Sequence, residues 1–70
     1  MMPVTMAKAG EKNYIAKITG KDDVRAHLAA LGFVVGESVT VVSSIGGNVI
    51  LCIKDSRIAL GRELAQRILI

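Results

Sequence analysis

Hydrophobic residues in the segment 22–31 recur with the period of an α-helix. Val24, Leu28 and Leu31 stand at positions i, i+4 and i+7, which places them on one face of a helix. A pair of aspartates at the start of the segment can accept hydrogen bonds from the free amides of the first turn. Gly32 follows the segment, and glycine readily adopts the left-handed backbone found just after helices. The pattern predicts one short helix over about residues 22–31.

Elsewhere the apolar period is close to two, which is typical of β-strands. Turn-forming residues separate five such runs, and Gly46-Gly47-Asn48 supplies a hairpin turn tolerant of positive φ. The predicted strands are residues 13–19, 38–44, 49–54, 57–60 and 67–70. Residues 62–66 predict a short helical turn, and residues 1–10 a loose arm or a first edge strand. Because crossover helices are missing, the sequence predicts a mainly β, five-stranded, partly open barrel rather than a parallel sheet.

The predicted hairpin has two faces of different character. Alternation places five apolar residues on one face: Val39, Val41, Val49, Leu51 and Ile53. It leaves Val42, Ile50 and Cys52 on the opposite face, where a half-buried strand normally shows polar side chains to water. Three apolar residues there predict a covered surface. The cover is either the helix or terminal strand of the same chain, or else a second subunit or a partner.

Composition limits the size and the environment of the domain. Seventy residues make a single domain, 1–70, and only Tyr14 and Phe33 are aromatic, so Val, Ile, Leu and Ala must fill the interior. No apolar run approaches the roughly 18 to 20 residues that span a bilayer, and the first ten residues do not resemble a signal peptide. A lone Cys52 excludes an internal disulfide. We therefore expect a cytoplasmic chain without membrane insertion.

The charge pattern favours an ordinary solvated surface over a nucleic-acid interface. Nine Lys and Arg residues oppose six Asp and Glu residues, giving a net charge of +3 without a run of like charges. Proteins that bind nucleic acid usually gather cations into a patch, often beside aromatic residues that stack on bases. No nucleic acid is therefore expected as a partner. A basic binding module remains an alternative, which would show a steep loss of affinity with salt.

Reactive groups are too few for a recognisable catalytic or metal site. His27 and Cys52 are the only soft ligands, whereas structural zinc takes four protein ligands and catalytic zinc three. Gly46 and Gly47 lie between two strands instead of preceding a helix, so they do not form a phosphate loop. We expect no enzyme, no cofactor and no metal site. A metal-responsive homodimer bridged through His27, Cys52 or surface carboxylates of two copies stays open.

Two motifs together resemble the bacterial ferrous iron transport protein A family, FeoA. They are RxHLxxLGFxxGxxVxV over residues 25–41 and RIALGRELAxxIxI over residues 57–70, separated by the glycine hairpin. The C-terminal domain of metal-dependent repressors of the diphtheria-toxin-repressor type shares this pattern. The resemblance implies an SH3-like barrel. The absence of DNA-binding helices ahead of the motif favours FeoA over the repressor domain.

The resemblance also implies a partner, the cytoplasmic part of the FeoB ferrous iron permease. Under this hypothesis, an apolar recess between the helix and the barrel receives a segment of FeoB, while charged residues at its rim fix orientation. The apolar residues are Leu28, Leu31, Phe33 and Leu60, and the rim residues are Arg25, Arg62 and Glu63. The alternative is that all four apolar residues belong to the core.

Overall fold

The chain folds as a mainly β domain of six short strands, two α-helical segments and one 3₁₀ turn. The computed structural model describes all of residues 1–70. In chain order the elements are a 3₁₀ turn at Val4–Met6, β1 at Lys12–Tyr14, β2 at Lys17–Ile18, α1 at Asp22–Ala30, β3 at Ser38–Ile45, β4 at Asn48–Ile53, β5 at Ser56–Gly61, α2 at Arg62–Ala65 and β6 at Ile68–Leu69. The predicted fold class, the short helix and the later helical turn are confirmed.

Two antiparallel sheets build the barrel. The larger sheet has four strands in the order β1-β3-β4-β5, and the smaller one pairs β2 with β6. Within the larger sheet, a β-bulge interrupts the β3–β4 register between Val41 and Ser43. A bulge of this kind increases the local twist and bends the strand. The sheet can therefore curve around the core.

The segment predicted as a single strand, residues 13–19, is divided between the two sheets. The N–H of Ile15 donates to the carbonyl of Glu37 next to β3 (2.9 Å), and the N–H of Ala16 donates to Leu69 in β6 (2.7 Å). Successive amides of an extended chain point in opposite directions, so neighbouring residues bond to different sheets. The strand count therefore rises from the predicted five to six. The imperfect alternation of the segment reflects this change of partner.

The amino-terminal residues are part of the barrel. Met2 and Ile70 exchange two backbone hydrogen bonds of 3.0 and 2.8 Å, and Pro3 stands opposite Leu69. Val4 follows and is only 1% exposed. Of the two predictions for this segment, edge-strand pairing fits the structure, whereas a loose arm does not.

The core is entirely apolar. It contains twelve buried residues and no buried polar or charged side chain. Its members are Val4, Ile15, Leu28, Phe33, Val39, Val41, Val49, Leu51, Ile53, Leu60, Ala65 and Ile68. All five residues predicted for the inner face of the hairpin are among them, so that prediction is confirmed. Apolar burial of this kind supplies the main driving force for folding.

Helix α1 closes one side of the core. Leu28 is its one fully buried residue, and Val24 on the same face is half-buried against the core. The Oδ1 of Asp23 accepts the N–H of Val24 at 2.9 Å. Gly32 follows the C-cap residue Leu31 and adopts a φ of 104°. The helix therefore ends where the sequence predicts. Neither helical segment has the length and apolar character needed to cross a bilayer.

The burial of Val4 generates a stability prediction. Val4→Ala should lower the free energy of unfolding by about 2 kcal/mol, because it removes two buried methyl groups and leaves a cavity. Met6→Ala in the same 3₁₀ turn is the matched control, since Met6 is exposed, and it should change stability by less than about 0.5 kcal/mol. Urea denaturation measures both. Equal effects would show that the amino-terminal segment does not pack on the barrel.

Candidate functional site

Three of the four apolar residues predicted to line a recess lie in the interior. Leu28 and Phe33 are 0% exposed and Leu60 is 4% exposed. The N–H of Phe33 donates to the carbonyl of Leu28 at 3.0 Å, which holds the loop after α1 against the helix end. Only Leu31 is partly accessible at this edge of the core. The predicted recess is therefore filled by its own side chains, and the alternative, that these residues are core, describes Leu28, Phe33 and Leu60.

The predicted rim residues are not brought together around that position. Arg25 is exposed on α1 and pairs with Asp22 of the same helix. Arg62 and Glu63 instead line an open recess of about 570 Å³ at α2, whose other lining residues are Gly47, Gly61, Leu64 and Gln66. The N–H of Arg62 donates to the carbonyl of Gly47 at 2.9 Å, so α2 is fixed on the β3–β4 turn. With one hydrophobic lining residue, this recess lacks the apolar centre that protein interfaces use.

Exposed apolar residues lie on the loop between α1 and β3, which follows Phe33, and on the strand to which that loop is hydrogen-bonded. Val34 is 42% exposed and Val35 is 65% exposed, and Tyr14 on the adjoining strand β1 is 61% exposed. Half-buried Leu31 begins the same loop. We call these four residues the loop surface. Tyr14, Val34 and Val35 were not among the predicted site residues, although two β-branched residues in a loop between two glycines are a signal for an exposed apolar turn.

Backbone hydrogen bonds hold the loop surface in one conformation. The N–H of Glu37 donates to the carbonyl of Val34 at 3.1 Å, closing a four-residue turn with Val35 and Gly36 at its centre. Gly36 has a φ of 92°, the left-handed value that a type II turn requires at its third position. Its N–H also donates to the carbonyl of Ile15 at 2.8 Å, which ties the turn to the barrel. Val35 is thus presented to solvent on a fixed backbone.

The second predicted surface lies on the outer face of the larger sheet. Val42, Ile50 and Cys52 are each half-buried, so part of each side chain is open to solvent. Val42 is the residue in the β-bulge, and Ile50 lies between Ser43 of β3 and Ala59 of β5. β6 pairs with β2 in the other sheet, and the cover over these three residues stays a prediction.

The two weak candidates for metal binding stand apart on different elements. His27 is exposed on α1, whereas Cys52 is half-buried on β4 and its Sγ lies 3.6 Å from the carbonyl oxygen of Lys54. No group of three or more His, Cys, Asp or Glu side chains converges anywhere in the chain. The ion pairs are also scattered: apart from Arg25, the structure pairs Lys54 with Glu37, at 3.6 Å between Nζ and Oε1.

Comparison with known protein families identifies the family to which this chain belongs. The model of the FeoA domain matches residues 2–70. This chain belongs to the FeoA family. A Methanocaldococcus jannaschii relative named for Fe(2+) transport protein A is 34% identical over 70 residues, which cover 100% of this chain and 85% of the relative. The family resemblance drawn from residues 25–41 and 57–70 is therefore confirmed, and with it the assignment to ferrous iron transport.

Solved structures of FeoA proteins share the fold. A crystal structure of an iron uptake regulatory protein (FeoA) superposes with a TM-score of 0.86 at 28% identity, covering 96% of this chain and 89% of the other. Stenotrophomonas maltophilia FeoA, described as a prokaryotic SH3 domain protein and complexed with zinc, gives 0.81 at 23% identity, covering 99% and 87%. A manganese-dependent transcriptional repressor gives 0.83 at 18% identity, with 97% of this chain matching 39% of the repressor. The SH3-like barrel predicted from the resemblance is confirmed.

Substitution of two leucines tests whether Leu28 is a core residue. Leu28→Ala should lower the free energy of unfolding by about 2–5 kcal/mol, because Leu28 is fully buried and its truncation leaves a cavity. Leu31→Ala, a half-buried control at the end of the same helix, should cost less than about 1.5 kcal/mol. Chemical denaturation followed by circular dichroism gives both values. A small loss for Leu28→Ala would mean that its side chain faces an open recess after all.

Proposed function

We propose that this chain is a non-catalytic accessory protein of ferrous iron uptake that binds the cytoplasmic part of the FeoB permease and modulates transport. The observation that supports it most directly is the FeoA family match over residues 2–70. Such a function requires a surface that a partner protein can recognise, and it places the chain in the cytoplasm.

The loop surface is the docking site in this proposal. Protein interfaces have an apolar, desolvated centre, and aromatic residues are enriched there. Tyr14, Val34 and Val35 are among the exposed large hydrophobic residues of the chain. The turn that carries Val35 is fixed by hydrogen bonds to Ile15, so little conformational entropy is lost when a partner covers it.

The proposed docking site therefore differs from the predicted recess at Leu28, Leu31, Phe33 and Leu60. It lies a few residues away, on the part of the loop that is exposed to solvent. Leu31 remains at the edge of the proposed site, while Phe33 supports the loop from inside the core. Arg62 and Glu63 line the separate recess at α2 and form a second charged surface for the same partner. Charges of this kind mainly affect the rate of encounter and the orientation of the complex.

Amide chemical shifts distinguish these surfaces. The ¹⁵N-labelled chain is titrated with the purified cytoplasmic domain of FeoB, and shifts are expected at Tyr14 and over residues 31–37. Shifts confined to Gly47, Gly61 and residues 62–66 would move the docking site to the recess at α2. No shift at any residue, at protein concentrations where the domain is folded, would refute FeoB binding.

A charge placed on the loop surface should weaken binding without affecting folding. Val35→Asp should raise the Kd for the FeoB cytoplasmic domain about tenfold or more, because a carboxylate would be desolvated at the centre of the interface. The matched control is Ile45→Asp, since Ile45 is 67% exposed at the β3–β4 turn. The control should bind normally, and both variants should keep their stability within about 0.5 kcal/mol. Equal loss of affinity in the two variants would argue against the loop surface.

A further inference from the structure

Strand β5 has a free edge. The strand order β1-β3-β4-β5 places it at the end of the larger sheet, where β4 is its only partner. It is six residues long, and four of them, Ser56, Arg57, Ala59 and Gly61, are exposed. A free edge presents unpaired backbone N–H and C=O groups, which form a template for another strand.

The register shows which backbone groups face outward. The N–H of Arg62 bonds to the carbonyl of Gly47 at 2.9 Å, continuing the β4–β5 ladder by one residue. Antiparallel pairing alternates between bonded and non-bonded positions, so Leu60, Ile58 and Ser56 direct their backbone groups toward β4. Arg57, Ala59 and Gly61 therefore direct theirs away from the sheet.

No outward-facing group at Arg57 or Ala59 has a backbone partner elsewhere in the chain. Gly61 differs, because it is the N-cap of α2 and its carbonyl accepts the first bond of that helix. Its N–H remains free. The edge therefore offers the backbone N–H and C=O groups of Arg57 and Ala59, and the N–H of Gly61.

The edge strands β1 and β2 are much shorter than β5. β1 has only three residues, one of them Lys12, and β2 has two. Short edge strands and lysine are common means of preventing strand pairing. β5 is longer and carries the small residues Ala59 and Gly61 at its edge, with no proline and no β-bulge. It is the longest strand at a sheet edge, and Arg57 is its one charged residue.

We propose that β5 pairs with β5 of a second copy of this chain, antiparallel about a two-fold axis at Ala59, and so joins two four-stranded sheets into one of eight strands. Ala59 of each copy then exchanges two hydrogen bonds with the other. The N–H of Gly61 donates to the carbonyl of Arg57 of the second copy, and the reverse contact follows by symmetry. The pairing uses about four new backbone hydrogen bonds and every free group of the edge except the Arg57 N–H.

The side chains favour this register over its neighbours. Arg57 stands opposite Gly61 of the second copy, so no like charges face each other. Because glycine has no side chain, the long side chain of Arg57 has room at this pair. A register centred on Arg57 would set two guanidinium groups directly opposite, which is destabilising. On the inner side, half-buried Ile58 comes opposite Leu60 of the second copy. Apolar cross-strand pairs of this type stabilise a sheet by roughly 0.2–1 kcal/mol each.

The dimer also extends the outer face of the larger sheet, on which Val42, Ile50 and Cys52 were predicted. Ile50 lies beside Ala59 across β4 and β5. Pairing at Ala59 places the two copies of this pair in a single row across the new sheet. Val42 and Cys52 border that row on β3 and β4. The apolar face of each chain thus becomes one continuous surface in the pair, but edge pairing does not cover Val42, Ile50 and Cys52, and the cover predicted for these residues stays a prediction.

Disulfide trapping tests the register directly. In a Cys52→Ser background, which removes the native thiol, Ala59→Cys places two sulfurs across the two-fold axis. The Cα atoms of such a bonded pair are about 5.5 Å apart, within the range that a disulfide spans. Arg57→Cys is the matched control, because its copies lie about 14 Å apart in this register. We expect an oxidant to cross-link Ala59→Cys into a dimer rapidly, and Arg57→Cys slowly or not at all.

Sedimentation velocity on the otherwise native chain supplies the second measurement. The native chain should form dimers as its concentration rises toward the millimolar range. Ala59→Lys should remain monomeric at low salt, since two like charges would face each other, and should regain dimer at high salt through screening. Lys12→Pro, which alters the opposite edge, should dimerise like the native chain. A native chain that stays monomeric throughout, or equal cross-linking of the two cysteine variants, would overturn the proposal.

Discussion

Closure of the barrel depends on two consecutive amides that bond in opposite directions. Ile15 is held to the residue before β3, and Ala16 to β6, so one extended segment joins both sheets. Between the sheets lie twelve buried residues without a polar group among them. A chain of 70 residues buries only about 60% of its unfolded surface, and it has little stability to spare. This junction is one of the links that hold the two sheets together around the dry core.

The parts of the fold that depend on local pattern could be read from the sequence. Helix α1 follows from the spacing of Val24, Leu28 and Leu31 and ends before Gly32. The inner face of the β3–β4 hairpin follows from strict alternation. The division of residues 13–19 was not predictable in this way, because the partners of Ile15 and Ala16 are distant in sequence. Burial of Val4 depends on pairing with the last residues of the chain, which a local pattern does not encode.

The candidate site shows a second limit on what can be predicted from the sequence. A hydrophobic stripe indicates which residues avoid water, but it does not distinguish a filled core from an apolar recess. Leu28 and Phe33 were placed on the correct side of the helix and loop, yet their own side chains fill the space that a partner was expected to enter. The accessible apolar residues, Val34 and Val35, lie in a loop. A loop has no helical or strand periodicity, so the pattern of apolar residues does not show that they are exposed. Their exposure follows from the turn at Gly36, whose geometry depends on contact with the barrel.

The larger sheet separates two kinds of contact by placing them at opposite edges. β1 carries Tyr14 beside the loop surface, and β5 lies three strands away. In the proposed dimer the two β5 strands meet at the centre, so the two β1 strands form the outer edges of an eight-stranded sheet, about 34 Å apart at the usual strand spacing. Self-pairing therefore leaves both loop surfaces free, whereas the charged recess at α2, which Gly61 also lines, borders the paired edge. Under the two proposals together, each dimer holds two FeoB domains at once, and a permease that itself assembles is bound more tightly by the dimer than by the single chain, because the second contact is made within one complex.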